Sequence, residues 1–143
     1  MSLSNIYLFV DVSVTAALRQ PFPFFRAEEE LLAIDWLKTN VEQGEVVLAA
    51  APTGNYLAGQ ASQPVVLGHW AETVDFVDRW QDARQFYSAA TSDDWRQSFL
   101  DRYGVSYVWY GPQERLLGAF NPDQTAFLTP IFQGNEISIF SVQ

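Results

Sequence analysis

Cysteine is absent from the sequence and histidine occurs once, and these two shortages exclude several kinds of site. Without cysteine the chain has no thiol nucleophile, no disulfide framework and no cysteine-ligated zinc. Because His69 is the only imidazole, a site built from several histidines cannot form within one chain. Any Ser/His/Asp arrangement must therefore include His69. The lack of cysteine is compatible with export but does not fix the compartment.

Basic residues and long apolar runs are also scarce, which argues against two kinds of partner. Eight Lys and Arg residues stand against 17 Asp and Glu residues, so the formal net charge is −9. Binding to nucleic-acid phosphates needs a basic patch, and we therefore expect no nucleic-acid partner. No stretch approaches the roughly 20 apolar residues of a membrane span. The charge favours solubility and disfavours binding to anionic lipid.

The length of 143 residues, of which 48% are hydrophobic, predicts one domain with an ordinary apolar core. We expect residues 26–143 to form a single α/β domain, preceded by an N-terminal strand and connector at residues 4–25. The strand is predicted at residues 5–14, which are rich in β-branched and aromatic side chains. Pro21 and Pro23 exclude a helix over residues 20–25, which are predicted to be extended. We interpret Met1–Leu3 as a cloning remnant.

Helical periodicity alternates with short apolar runs along the rest of the chain. The pattern predicts a helix over residues 26–41 with Leu31 and Leu32 on its apolar face, and a loop at residues 52–55. Buried strands are predicted at residues 46–50, 64–67 and 105–110. Further helices are predicted at residues 72–89 and 112–119, and another begins within residues 91–94 and ends at Gly104. A β-hairpin is predicted from residues 126–132 and 136–142. This alternation predicts a three-layer α/β fold, with a mostly parallel, Rossmann-like sheet and the C-terminal β-hairpin at one edge.

Polar and glycine-containing segments follow three of the predicted strands, at residues 53–56, 68–73 and 110–115. In open α/β sheets, ligands bind beyond the carboxyl ends of the strands. We therefore predict one ligand-binding site at that edge. Neither a metal nor a cofactor is expected, because one histidine supplies too few ligands and no phosphate-binding glycine pattern is present. The predicted site residues are Thr53, Asn55, His69, Trp70, Glu72, Tyr110 and Glu114.

The chemical role of each of these residues has more than one interpretation. His69 is either a general base or ligand assisted by Glu72 or Asp75, or a structural imidazole that fixes its turn. Glu72 and Glu114 are either the carboxylate pair of a glycosidase or helix N-terminal residues, with Glu114 at the N3 position. Aromatic residues at strand ends, such as Trp70, stack on sugar rings, form protein interfaces or belong to the core.

The chain resembles the soluble C-terminal domain of large multi-pass bacterial membrane proteins, which are similar to GT-C glycosyltransferases that use lipid-linked sugars. The resemblance covers about residues 20–143, and its most specific parts are His69–Thr73 and Tyr110–Glu114. The segments that carry it are residues 29–37, 46–50, 53–55, 66–73 and 103–114.

The resemblance implies a non-catalytic accessory domain on the extracytoplasmic face of the cell membrane. The catalytic carboxylates of such enzymes lie on loops between membrane helices, in a region that is not part of this sequence. The implied partners are the protein's own membrane-embedded region and a glycan or lipid-linked sugar. Residues 18–25 would then connect the domain to the last membrane span.

Two other functions are compatible with the residues. One is a free-standing small hydrolase, of glycosidase or esterase type, that uses His69 or the Glu72 and Glu114 pair. The other is a purely structural protein-interaction domain, for which an aromatic surface without a concave pocket would be the sign.

Overall fold

The computed structural model of the protein describes Val14 and residues 26–143. The predicted strand at residues 5–14 and the connector at residues 20–25 therefore lie outside the described residues, apart from Val14. This residue is helical, not extended as predicted. Within the described ranges, no helix has the length and apolar character needed to cross a membrane.

Five helices and four strands, together with one 3₁₀ turn, make up residues 26–143. In chain order they are α1 (Glu28–Asn40), β1 (Val46–Leu48), α2 (Ala51–Ala61), α3 (Phe76–Phe86), α4 (Asp93–Tyr103), β2 (Val105–Tyr110), α5 (Pro112–Arg115), the 3₁₀ turn (Pro122–Gln124), β3 (Leu128–Gln133) and β4 (Ser138–Val142).

The four strands form one mixed sheet in the order β1-β2-β4-β3. Only β1 and β2 are parallel, whereas β4 runs antiparallel to both β2 and β3. The prediction of a mostly parallel, Rossmann-like sheet was wrong, but the C-terminal hairpin does extend one side of the sheet as predicted. Residues 64–67 make only a single parallel bridge, between Val65 and Val47. The N–H of Val66 donates to the carbonyl oxygen of Val47 at 3.1 Å, but Pro64 has no N–H with which to extend the pairing.

Neighbouring side chains on each strand point to opposite faces of the sheet, and each face carries its own apolar core. Strand residues such as Val47 and Trp109 pack with α1 and α2. Their neighbours Leu48 and Val108 pack with α3 and α4. The sheet therefore lies between two layers of helices, which confirms the predicted three-layer α/β arrangement.

The helix α4 begins and ends where its sequence signals predict. The hydroxyl of Ser92 accepts a hydrogen bond from the backbone N–H of Trp95, which caps the first turn. Gly104 follows the last turn in the left-handed conformation, with φ of 59°. The predicted helix 72–89 is shorter, since Asp75 adopts a left-handed conformation just before Phe76. The helix predicted to reach Ala119 ends at Arg115.

The predicted loop at residues 52–55 is wrong, because these residues form the first part of α2. Pro52 stands in the first turn, where its missing N–H removes no helical hydrogen bond. Gly54 allows the helix to approach the chain after Val66, since a Cβ atom at this position would lie 1.9 Å from the carbonyl oxygen of Leu67. Residues that are typical of a turn therefore serve a helix start and a close packing contact.

The apolar face of α1 is narrower than predicted. Ile34 and Leu37 are buried on the sheet, together with Val41 just after the helix. Leu31 and Leu32 instead remain 43% and 58% exposed, so the prediction that they belong to the buried face was wrong.

Candidate functional site

The structure distributes the seven predicted site residues over separate places. Thr53 and Glu114 line a cavity of about 270 Å³ at the carboxyl ends of β1 and β2, which we call the strand-end cavity. Asn55, His69 and Glu72 line a second cavity of about 290 Å³. The predicted convergence of all three loops on one site is therefore not observed. The second cavity, the His69 groove, is lined by Asn55, Ala58, Val65, Gly68, His69, Glu72, Thr73, Val74 and Arg79.

Glu114 is fully buried and holds the ends of the two parallel strands together. Its Oε1 accepts a hydrogen bond from the N–H of Ala50, 2.8 Å away, just after β1. Its Oε2 accepts one from the N–H of Gly111, 2.9 Å away, just after β2. The side chain of Thr53 is also hydrogen-bonded to this carboxyl group. This arrangement confirms the capping role predicted for Glu114 at position N3 of α5.

Burial has the largest effect on the pKa of Glu114. Loss of solvent raises the pKa of its carboxyl group, while the hydrogen bonds from Ala50, Thr53 and Gly111 oppose the rise. Both oxygens of this carboxyl group accept hydrogen bonds from backbone N–H groups, so its polar contacts hold the fold together. Glu114 is thus a structural acid at the edge of the strand-end cavity.

The other acids of the strand-end cavity are also engaged in structural contacts. The Oε1 atom of Glu29 accepts hydrogen bonds from the backbone N–H groups of Glu136 and Ile137, at 2.8 and 3.1 Å. These bonds attach the start of α1 to the turn of the C-terminal hairpin. Glu30 forms an ion pair with Arg26. No local sequence pattern predicts this role of Glu29, because its partners lie more than 100 residues away.

The His69 groove lies between α2 and the turn that precedes α3. Asn55 comes from the first half of α2, and a Cβ atom at Gly68 would lie 3.9 Å from its backbone nitrogen. The N–H of Gly68 donates to the Thr73 hydroxyl at 3.2 Å, which closes the loop around the groove. Arg79 donates to the carbonyl oxygen of Val66 at 3.1 Å. Gly68 and the hydrogen-bonded loop after it thus leave an open groove whose lining is part polar and part apolar.

His69 is exposed, and its contacts fix the turn that follows it. Its Nδ1 accepts a hydrogen bond from the N–H of Ala71 at 3.3 Å. Its carbonyl oxygen accepts hydrogen bonds from the N–H groups of Glu72 and Thr73, at 3.0 and 2.9 Å. The neutral imidazole therefore carries its proton on Nε2 and can donate it to a ligand. Within residues 26–143, no carboxylate is hydrogen-bonded to this ring, as the orienting acid of a catalytic triad would be.

Trp70 stands beside His69 with 70% of its surface exposed. The centroids of the two rings are 5.9 Å apart, and their planes are inclined by 34°. An aromatic face so open to solvent is available for stacking on a ligand.

Tyr110 lies away from both cavities. Its hydroxyl donates to the carbonyl oxygen of Phe120 at 2.7 Å, and its ring stacks on that of Tyr87. Glu72 lines the His69 groove whereas Glu114 lines the strand-end cavity, so the structure does not bring together the carboxylate pair considered for a glycosidase.

A third cavity, of about 410 Å³, lies near the start of α4 and was not anticipated from the sequence. Its main charged group is Arg96, which is only 4% exposed. The guanidinium donates to the carbonyl oxygens of Phe86 and Ser88 and to the carboxylate of Asp93, and it lies 3.9 Å from the ring centroid of Phe120. These contacts make Arg96 an anchor between α4 and the chain around it.

In the part of the chain that the structure describes, no three His, Asp or Glu side chains are grouped so that they could hold a metal ion. The geometry thus offers one open groove with exposed polar side chains and an exposed aromatic neighbour, and two cavities whose charged groups are engaged by the protein itself.

No protein family and no curated protein matches this sequence. Among solved structures, the chain is similar to the C-terminal globular domain of an oligosaccharyltransferase from Archaeoglobus fulgidus. The TM-score is 0.63 at 16% sequence identity, and the match covers 82% of this chain and 99% of that domain. The two chains therefore share a fold over nearly the whole of the archaeal domain. The resemblance to domains of bacterial membrane proteins is accordingly not confined to bacteria.

Proposed function

We propose that this chain is a non-catalytic accessory domain of a membrane-bound, glycosyltransferase-like protein, and that its His69 groove binds a glycan. The observation that carries the proposal is the fold shared with a globular domain of an oligosaccharyltransferase, over 99% of that domain. The sequence resemblance to domains of GT-C-like membrane proteins points to the same class. On this proposal the domain packs against its own membrane-embedded region, on the extracytoplasmic face of the cell membrane.

The engagement of the candidate catalytic groups supports a non-catalytic role. Both oxygens of Glu114 accept hydrogen bonds from backbone N–H groups. The Nδ1 atom of His69 accepts a hydrogen bond from Ala71, and no carboxylate within residues 26–143 is hydrogen-bonded to this ring. Glu72 lies in a different cavity from Glu114. Among the described residues, these three groups are therefore not arranged as a paired acid and base or as a triad.

The chemistry of the His69 groove supports a sugar as the ligand. Sugars are recognised by hydrogen bonds to their hydroxyl groups and by aromatic rings that cover their apolar face. Asn55, His69 and Glu72 offer an amide, an N–H donor and a carboxylate, and all three are exposed. Trp70 adds an open aromatic face. At about 290 Å³ the groove suits a terminal sugar better than a long chain.

Calorimetric titration with a panel of monosaccharides and disaccharides at millimolar concentration tests the proposal. We expect heat with at least one sugar, and affinity about tenfold lower in Asn55→Ala and in Trp70→Ala, which corresponds to about 1.4 kcal/mol. Asn135→Ala and Leu116→Ala are matched controls, since both side chains are exposed and line neither the His69 groove nor its mouth. No heat with any sugar would contradict glycan binding.

A hydrolase assay addresses the rival function. The domain is expected to be inactive on chromogenic glycosides and esters. Turnover that disappeared in His69→Ala and in Glu114→Gln would overturn the non-catalytic role and favour a free-standing hydrolase.

A further inference from the structure

The segment from Trp70 to Trp80 exposes more large apolar surface than any other stretch of similar length in residues 26–143. Trp70, Val74 and Val77 are 70%, 69% and 62% exposed, and Trp80 is 36% exposed. Val77 and Trp80 are three residues apart on α3 and are neighbours on its surface. We call Trp70, Val74, Val77 and Trp80 the α3 face.

Carboxylates are interspersed with these apolar side chains. Glu72, Asp75 and Asp78 are exposed, and no ion pair with them is formed among the described residues. The one nearby cation on this face, Arg84, lies 4.8 Å from the ring centroid of Trp80. Arg79 is turned away, since it donates to the Val66 carbonyl oxygen. The α3 face therefore combines an apolar centre with an acidic rim.

From this combination we infer that the α3 face docks a protein surface with an apolar centre and a rim of Lys or Arg side chains. Exposed apolar patches mark interaction sites, and tryptophan is enriched among the residues that dominate binding energy. A basic rim on the partner would neutralise Glu72, Asp75 and Asp78. The same three carboxylates would repel a partner with an acidic rim. The inference rests on these residues alone and does not require that the His69 groove binds a sugar.

Two other occupants fit the face less well. A second copy of the chain would place the same three carboxylates against each other in a symmetric contact, which is unfavourable. A bilayer surface is bound by helices whose polar flank carries Lys and Arg, whereas the flank of this face carries Glu72, Asp75 and Asp78.

The inference is tested with a fluorescently labelled helical peptide of leucine and lysine, in which one face is apolar and the other is basic. Fluorescence anisotropy is expected to show binding that weakens with salt and falls at least about tenfold in the Val77→Ser/Trp80→Ala double variant. Neither residue lines the His69 groove, so a failure here is distinguishable from a failure of glycan binding. Leu116→Ser is the matched control, because Leu116 is 80% exposed elsewhere.

A second variant keeps the test decisive if the first one is unstable. Asp75→Asn/Asp78→Asn retains the apolar centre, and asparagine tolerates the left-handed conformation of position 75. It is expected to weaken peptide binding and to reduce the dependence on salt. Equal binding by wild type and both variants would overturn the inference. So would a blue shift of tryptophan fluorescence with phosphatidylcholine vesicles, or a dimer in sedimentation that the variants abolish.

Discussion

Replacing Glu114 with alanine is expected to destabilise the domain more than any other single carboxylate substitution near the parallel strands. The change removes the acceptor of two buried N–H groups, those of Ala50 and Gly111, which are bonded at 2.8 and 2.9 Å. A buried donor left without a partner costs about 1–3 kcal/mol, so the two together give a loss of about 2–6 kcal/mol. This is a large part of the about 5–15 kcal/mol that holds a typical domain folded.

Glu114→Gln keeps the size of the side chain, so it separates the effect of the hydrogen bonds on stability from the effect of packing. The amide keeps one acceptor oxygen, but its NH₂ group faces the second backbone N–H, so one donor loses its partner. We expect a loss of about 1–3 kcal/mol, between wild type and the alanine variant. Urea unfolding followed by tryptophan fluorescence measures both losses, and Glu136→Ala is the matched control with an expected change within about 0.5 kcal/mol. An alanine variant as stable as this control would refute the structural role of Glu114.

The pH dependence of stability in the same variants tests the raised pKa of Glu114. Burial holds the pKa of Glu114 above that of a glutamate in the unfolded chain. Its contribution to the free energy of unfolding is therefore complete below the unfolded pKa and is lost as the pH rises through the folded pKa. The stability of wild type relative to Glu114→Gln is expected to decrease over this interval as the pH rises. A relative stability that increases with pH would contradict the raised pKa.

Two further predictions concern close contacts that the structure shows. Gly54→Ala is expected to lower the free energy of unfolding by about 1–3 kcal/mol or more, because the added carbon meets the backbone oxygen of Leu67. Gly59→Ala in the same helix has open space around the added carbon and is expected to raise the free energy of unfolding by about 0.5–1 kcal/mol. Thermal unfolding compares them, and equal midpoints would contradict the packing of α2. Glu29→Ala is expected to cost about 1–3 kcal/mol and to speed hydrogen exchange at the amides of residues 136 and 137, while Glu28→Ala should leave both amides protected.

Elements with local signals were predicted well from the sequence. The helix α4 is flanked by Ser92 and Gly104, whose capping preferences act within a few residues of each helix end. The strand β2 was predicted with its observed bounds, because a mostly apolar run bounded by two glycines is a local pattern. The start of α5 at Pro112 was also predicted, because the preference for proline and glutamate in the first turn of a helix is likewise local.

Features that depend on distant contacts were not predictable in this way. Pro52 and Gly54 were interpreted as turn residues, because the sequence does not show that Leu67 packs against Gly54. The bonds of Glu29 to the hairpin turn join positions that are more than 100 residues apart. Strand direction is equally nonlocal, and the parallel sheet was predicted on the assumption that residues 64–67 form a full strand.

The division of the predicted site has the same origin. Residues 64–67 pair with β1 through a single bridge at Val65, and the chain then passes along α2. The loop that carries His69 therefore opens on a groove of its own, with Asn55 and Glu72, and not on the strand-end cavity with Glu114. The segments that hold the site residues were identified from the sequence, but their relative positions required the structure.

Titration of the ¹⁵N-labelled domain with a sugar from the calorimetric panel, followed by NMR, tests glycan binding in the His69 groove most directly. We expect the indole N–H signal of Trp70 to shift with increasing sugar, whereas the signal of Trp109, which is buried at the strand-end cavity, stays in place. A shift confined to Trp109, or no shift at millimolar sugar, would contradict it.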